Sequence, residues 1–174
     1  SSAVSVAQNR AAEKQFFAGL AAETGIGPAP HWIIDSATDF DAMPADCLPG
    51  ILKTARMGYD GKGQARVATI AEARDAWRAF GAVPCVLEKM LPLAFEVSAL
   101  VARGIDGDTV VYPLAENVHR NGILHTSCVP SPCVDNATAD KVRACAQKIA
   151  AALGYVGVLC VEFFVLNDGS VVVN

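Results

Sequence analysis

No stretch of this sequence approaches the ~20 apolar residues that a membrane-spanning helix needs, and Arg, Asp or Glu interrupts its richer runs. A membrane is therefore not an expected partner. The N-terminus, Ser1-Ser2-Ala3-Val4, lacks both the basic start and the apolar centre of a secretion signal. Surplus basic charge is missing as well. The chain has 14 Lys and Arg against 18 Asp and Glu, a net charge of −4, so nothing electrostatic points to nucleic acid. A small anionic ligand is not excluded, because local charge decides that. There is no Cys-x-x-Cys pair and no Cys/His cluster at zinc spacing. The six cysteines, Cys47, Cys85, Cys128, Cys133, Cys145 and Cys160, are scattered, and the nearest two, Cys128 and Cys133, flank two prolines. They are expected to be reduced thiols serving as small hydrophobes in a cytoplasmic protein. Internal repeats and low-complexity tracts are also absent.

What is present suits a soluble mixed fold. The chain has 174 residues, long enough for one large or two small domains with a sizeable core. A helix is expected from about Arg10 to Thr24, with Asn9 as N-cap, Phe16, Phe17 and Leu20 on one face, and Gly25 as the stop. Short strands are expected at His31 to Ile34 and Ile51 to Lys53. Thr69-x-x-Glu72 is a capping-box pattern opening a helix to about Phe80. Strands follow at Val83 to Glu88 and Phe95 to Arg103, with Asp106-Gly107 turning the latter into Val110 to Tyr112. A second long helix is expected over about Ala139 to Leu153. Gly157 to Leu166 is a long strand, turned at Asp168-Gly169 into a return over Ser170 to Asn174. The elements mix without strict βαβ alternation, which favours an α+β fold. The sequence has no initiator Met and stops within its last strand, which leads to the expectation of a fragment of a longer protein.

Four local patterns bear on chemistry. Lys53 precedes Gly58-Tyr59-Asp60-Gly61-Lys62-Gly63-Gln64. Glycines let backbone N–H groups close on phosphate oxygens, and a lysine supplies a compact cation. The spacing is neither that of a P-loop nor that of a dinucleotide fingerprint. A charged hairpin tip is the competing reading. Second, Glu162 sits in the apolar strand Val161-Glu162-Phe163-Phe164-Val165, where burial would require a partner or a cation. A two-residue loop at Asp168-Gly169 puts position 175 opposite Glu162, whereas a three-residue loop puts Asn174 there. Either way a polar strand end suits a Mg²⁺ site of oxygen ligands; a structural Glu bonded to Arg or Lys is the alternative. Third, Glu88 and Glu96 bracket Lys89-Met90-Leu91-Pro92, a short linker able to present backbone amides to an adenine edge, or only a surface connection. Fourth, Glu116-Asn117-Val118-His119 places Asn117 and His119 on one side of an extended segment. No Ser-His-Asp or Cys-His arrangement follows from the spacings.

In order along the chain, these segments resemble the ATP-grasp superfamily, and within it the 5-(carboxyamino)imidazole ribonucleotide synthases. The match is carried by Gln8-Asn9-Arg10 with Glu13-Lys14, Leu52-Lys53, the run from Gly58 to Gln64, Glu88, Glu96-Val97-Ser98, and Ala102-Arg103-Gly104 with Asp106-Gly107. Tyr112-Pro113, Glu116-Asn117-Val118-His119, Gly122-Ile123-Leu124, Leu153 to Val158 and Val161 to Val165 continue it. The Gly-Tyr-Asp-Gly-Lys-Gly-Gln and Tyr-Pro…Glu-Asn-x-His runs are specific to these synthases.

The resemblance implies an incomplete ATP-grasp fold of two α+β subdomains, with nucleotide between two antiparallel sheets. Residues 1–27 would link from a preceding Rossmann-like domain, 28–92 would form the small subdomain and 93–174 a truncated large one. It implies an ADP-forming carbon–nitrogen ligase of purine biosynthesis that carboxylates 5-aminoimidazole ribonucleotide with bicarbonate, using ATP and Mg²⁺ (or Mn²⁺), and a homodimer in the intact protein. Bicarbonate would attack the γ-phosphate, and the carboxyphosphate or the CO₂ released from it would be captured by the amine. Arg10 and Lys53 would contact ATP phosphates beneath the loop Gly58, Tyr59, Asp60, Gly61, Lys62, Gly63 and Gln64. Glu88, Lys89, Met90 and Leu91 would bind adenine, Glu96 the ribose, and His119 would lie at the nucleotide. Glu162 would ligate the metal and Asn174 would match the family's Asn, with a second metal-binding Glu at position 175. Tyr59 and Asp60 would reach toward the imidazole. The 174 residues alone are expected to be inactive. The competing readings are a formate-using glycinamide ribonucleotide transformylase, a biotin carboxylase, or a non-catalytic nucleotide-binding module.

Overall fold

The computed structural model describes residues 3–56, 63–120 and 123–174. Helices α1 (Ala3–Ala7) and α2 (Arg10–Thr24) come first. Asn9 caps α2 as expected, its Oδ1 accepting from Ala11 N–H at 3.0 Å and Ala12 N–H at 3.4 Å. The chain divides into two units, one of Val4–Phe16 and Ala29–Leu91, the other including Phe17–Pro28 and Pro92–Asn174. Each therefore takes part of α2.

The first unit contains β1 (His31–Ile34), β2 (Gly50–Thr54), β3 (Gln64–Val67), α3 (Ile70–Ala79) and β4 (Cys85–Lys89). Its sheet runs β1-β4-β2-β3, and every pair is antiparallel. Period-two alternation gives β4 two different faces. Cys85 and Leu87 join Ile34, Leu52, Phe40, Met43, Val67 and Ala73 in the apolar core, with Trp32, Trp77 and Phe80 packed against it. Val86 and Glu88 lie on the opposite face with Lys53, whose Cα is in register with Val86. Thr69 caps α3 by accepting from Glu72 N–H at 3.2 Å, while the Glu72 carboxylate reaches back to Ala68 N–H at 2.8 Å rather than to Thr69 itself. β4 begins two residues later than expected. Ala82 takes a positive φ of 53°, and the Val83 carbonyl accepts from Trp77 Nε1 at 2.9 Å instead of extending the strand.

The second unit contains β5 (Leu93–Arg103), β6 (Thr109–Val111), β7 (Ala115–Arg120), β8 (Ile123–Cys128), α4 (Asn136–Ala152), β9 (Gly157–Leu166) and β10 (Val171–Val173). Its sheet order is β10-β9-β5-β7-β8, with β6 also paired to β5, again all antiparallel. Val97, Ala99, Val101, Val161, Phe163, Val165 and Val173 form a buried face, and α4 contributes Val142, Ala146 and Ile149 to the core. α4 starts three residues earlier than the expected Ala139, because Asp135 caps it by accepting from Thr138 N–H at 2.8 Å.

The β9–β10 turn settles the register left open by the sequence. Val173 pairs with Phe163 and Val171 with Val165, so Asn174, not position 175, lies opposite Glu162. All six cysteines are free, but Cys128, Cys133 and Cys160 are exposed and do not act as core hydrophobes. No helix among the described residues is long and apolar enough to cross a membrane.

Candidate functional site

In the first unit the polar face of the sheet is dominated by one carboxylate. Glu88, 3% exposed, accepts a hydrogen bond from Lys53 Nζ at 2.9 Å through Oε2. Lys14 of α2, 1% exposed, approaches the same oxygen at 3.4 Å. Burial alone would raise the Glu88 pKa, but Lys53, Lys14 and Arg10 together outweigh it and hold the carboxyl below its ordinary range. Burial dominates at Lys14 and lowers its pKa; attraction to Glu88 and Glu13 opposes this, while Lys53 adds to it. Lys14 Nζ, Arg10 Nε and Glu88 Oε1 are buried atoms without hydrogen-bond partners among the described residues.

Arg10 lies where α2 starts, its N–H donating to the Ala55 carbonyl at 2.9 Å just after β2. With Arg56, Gln8, Glu13 and Thr54 it lines a cavity of about 500 Å³. Gly63 enters β3 with φ +70°, and a Cβ there would come within 2.6 Å of Thr54 Oγ1, so only glycine fits. Gln64, next along, is paired with Lys53. Gly58, Tyr59, Asp60, Gly61 and Lys62 lie outside the described residues.

At the end of β4, Lys89 N–H donates to Pro30 and Met90 N–H to Pro49, both at 2.9 Å. Those two amides are already engaged, so an adenine edge at this segment would be read by Leu91 or by carbonyl groups rather than by them. A Cβ on Gly50 would come within 2.8 Å of the Glu88 carbonyl, so glycine is what lets β2 approach the end of β4 this closely.

In the second unit, the sheet face opposite the buried one carries the polar side chains. Glu96 Oε2 lies 2.7 Å from His119 Nδ1, and both side chains are about 30% exposed. The β7–β8 register shifts between Val118 and His119, and His119 meets Glu96 on the face that also carries Asn117. Asn117 is buried; its Nδ2 donates to Ser98 Oγ at 2.6 Å, and its Oδ1 accepts from Ser127 Oγ at 2.8 Å. Ser98 is in register with Glu162. Asn174 N–H donates to the Glu162 carbonyl at 2.9 Å, and its Nδ2 stands 3.4 Å from Glu162 Oε2. Glu162 is exposed, so the burial cost foreseen for a carboxylate in this apolar strand does not arise. Glu116 faces away from this group: its Oε2 accepts from Ser131 Oγ at 2.8 Å and Cys133 N–H at 3.2 Å. Among the described residues no three His, Cys, Asp or Glu side chains come together as a metal set.

The sequence model of the ATP-grasp domain matches residues 20–174. The chain belongs to the ATP-grasp family. Its two sets of antiparallel strands with helices are that fold. It is similar to the N5-carboxyaminoimidazole ribonucleotide synthase of Brucella melitensis, at 43% identity over 99% of this chain and 47% of that relative. Among solved structures it resembles N5-carboxyaminoimidazole ribonucleotide synthetase from Thermus thermophilus, with 38% identity and a TM-score of 0.84 over 99% of this chain and 45% of that one. The Staphylococcus aureus N5-carboxyaminoimidazole synthetase complexed with ADP gives 32% identity and a TM-score of 0.83, over 96% and 43%. The chain thus spans about half the length of the curated relatives it matches.

Sequence reasoning named Lys53, Glu88, Glu96, His119 and Glu162 singly but missed three groupings. These are Lys14 against Glu88, the Glu96–His119 pair, and the Ser98–Asn117–Ser127 chain. Only the first left a trace: Lys14 is four residues after Arg10, on the same side of α2.

Proposed function

We propose that this chain is the nucleotide-binding part of an ADP-forming ligase that carboxylates 5-aminoimidazole ribonucleotide with bicarbonate in purine biosynthesis. The supporting observation is that the side chains on which the resemblance was read gather into two polar groups, Arg10–Lys14–Lys53–Glu88 in one unit and Glu96–His119 with Asn117 and Glu162 in the other. In the reaction, a bicarbonate oxygen attacks the γ-phosphorus of ATP and ADP departs. The substrate amine then attacks the carboxyl carbon of carboxyphosphate, or of the CO₂ it releases, as phosphate leaves. Little covalent work falls to side chains, so positioning and charge neutralisation carry the catalysis.

Arg10 and Lys53 bind phosphate oxygens; the 58–64 run is assigned to the same phosphates, and Tyr59 and Asp60 to recognition of the imidazole. Within the Glu88 to Leu91 segment, Leu91 and the carbonyl groups take the adenine, and Glu96 takes the ribose hydroxyls. His119 donates from Nδ1 to Glu96, which makes Nε2 the ring nitrogen available to a ligand. Exposed Glu162 and half-buried Asn174 offer oxygen donors on one sheet face, a set suited to Mg²⁺ or Mn²⁺, which prefers oxygen and shares its shell with phosphates and water. The ion, when bound, neutralises charge on the phosphate oxygens. The six free thiols fit a reducing, cytoplasmic setting.

The test uses a polypeptide of the relatives' full length that contains this chain, assayed for ADP release. We expect release that requires both bicarbonate and 5-aminoimidazole ribonucleotide. Release driven instead by formate with glycinamide ribonucleotide, or by biotin, would assign a sibling ligase; no nucleotide binding at all would leave a non-catalytic module.

A further inference from the structure

In the first unit one buried carboxylate is faced by three cations, one of them, Lys14, itself buried. Glu88 is the carboxylate at its centre, and Arg10, Lys14 and Lys53 all act on it. A carboxylate and a single lysine would make a closed pair, with the lysine's charge cancelled. Here two ammonium groups share one oxygen, at 2.9 Å from Lys53 and 3.4 Å from Lys14. Lys14 is 1% exposed, so while protonated it has no solvent to replace Glu88 as partner. Lys53, at 12% side-chain exposure, is the member that solvent reaches.

We propose that Lys14 is a positioning residue for nucleotide phosphate: from α2 it engages Glu88 and so leaves the Lys53 ammonium with uncancelled charge for an anion. The proposal rests on the nucleotide-binding reading of this site. Lys14 itself touches no ligand. It acts through Glu88, and its effect is confined to ligands that bear phosphate. Residues that hold a ligating group from behind commonly change affinity about tenfold or more, which sets the scale here.

The groups around Lys14 also give it a pH signature. It faces Glu88 on β4 and Lys53 on β2, with Glu13 and Arg10 on its own helix. Burial lowers its pKa from the ordinary lysine value of 10.5. As pH rises through that lowered value, Lys14 loses its proton, Glu88 turns fully to Lys53, and phosphate affinity falls.

The experiment measures ADP and adenosine binding to the chain and to Lys14→Met by calorimetry. We expect the dissociation constant for ADP to rise about tenfold in the variant and that for adenosine to stay within about twofold, the contrast being the signature of charge. Equal loss for both ligands would mean a merely structural role, and an unchanged ADP constant would also overturn the proposal. If Lys14→Met does not fold, the wild-type chain decides the matter: ADP affinity must drop on the alkaline side below the ordinary lysine value of 10.5 while adenosine affinity does not, and parallel curves refute it. Failure of the wild-type chain to bind ADP at all, at any pH, would instead overturn the nucleotide-binding reading on which this rests.

Discussion

Replacing Glu88 by Gln tests the buried charge cluster as a matter of stability. The substitution keeps the shape of the side chain but removes the one negative charge that Lys53 and Lys14 share at 2.9 and 3.4 Å. Removing one partner of a buried ion pair costs about 3–5 kcal/mol, because the other charge is left uncompensated. Against a total stability of about 5–15 kcal/mol for a domain, that loss is large. Both tryptophans, Trp32 and Trp77, pack on the core of this unit, so their fluorescence reports on it directly. With a urea m-value of about 1.5 kcal/mol/M, the midpoint should fall by about 2–3 M at pH 7. Adding Lys14→Met to Glu88→Gln should restore about 1–3 kcal/mol, since it removes the fully buried orphan cation. The pH dependence has a definite sign. Glu88 has a folded pKa below 4.5, so its contribution is complete above pH 4.5 and disappears as pH falls through the folded value. The gap between wild type and Glu88→Gln should therefore close in acid. A loss under ~1 kcal/mol at pH 7, or strict additivity of the two substitutions, would refute the reasoning.

Other expectations follow from local geometry. Asn117→Ala removes both the donor to Ser98 and the acceptor for Ser127, and should lower stability by about 1–3 kcal/mol in thermal or urea unfolding. Gly63→Ala forces a side chain into φ +70° and against Thr54 Oγ1, costing about 1–2 kcal/mol or more; Thr54→Ala should relieve only the steric part of that loss. In thiol titration of the native chain, Cys128, Cys133 and Cys160 should react while Cys85 should not, being fully buried with its pKa pushed up to about 11. All six should react in urea.

Local signals told most about local elements. The N-cap at Asn9 and the stop at Gly25 give α2 its observed ends, and the apolar run of β9 is bounded as the sequence suggests. The β9–β10 register was beyond counting, because two loop lengths satisfy the same residues. The three-residue loop is selected by Asp168, whose side chain accepts from Ser170 N–H at 2.9 Å, and by Leu166 and Ser170 pairing across the turn. α4 starts early because Asp135, four residues before the expected start, is a better cap than anything at Ala139.

The site residues were legible one at a time, since each is an unusual residue in its strand. Their partnerships were not. Glu96 meets His119 because β5 and β7 adopt the register that sets Glu96 opposite Asn117, with His119 two residues on along the same face, a choice made by tertiary packing. Lys14 reads as an ordinary solvated helix lysine until α2 is laid on the face of the sheet that carries Glu88.

The most direct test of the nucleotide-binding account is calorimetric titration of Mg·ADP into the chain and into Lys53→Met. Saturable one-site binding by the chain, weakened at least tenfold by Lys53→Met, is the predicted result. No saturable binding, or an affinity that Lys53→Met leaves unchanged, would contradict it.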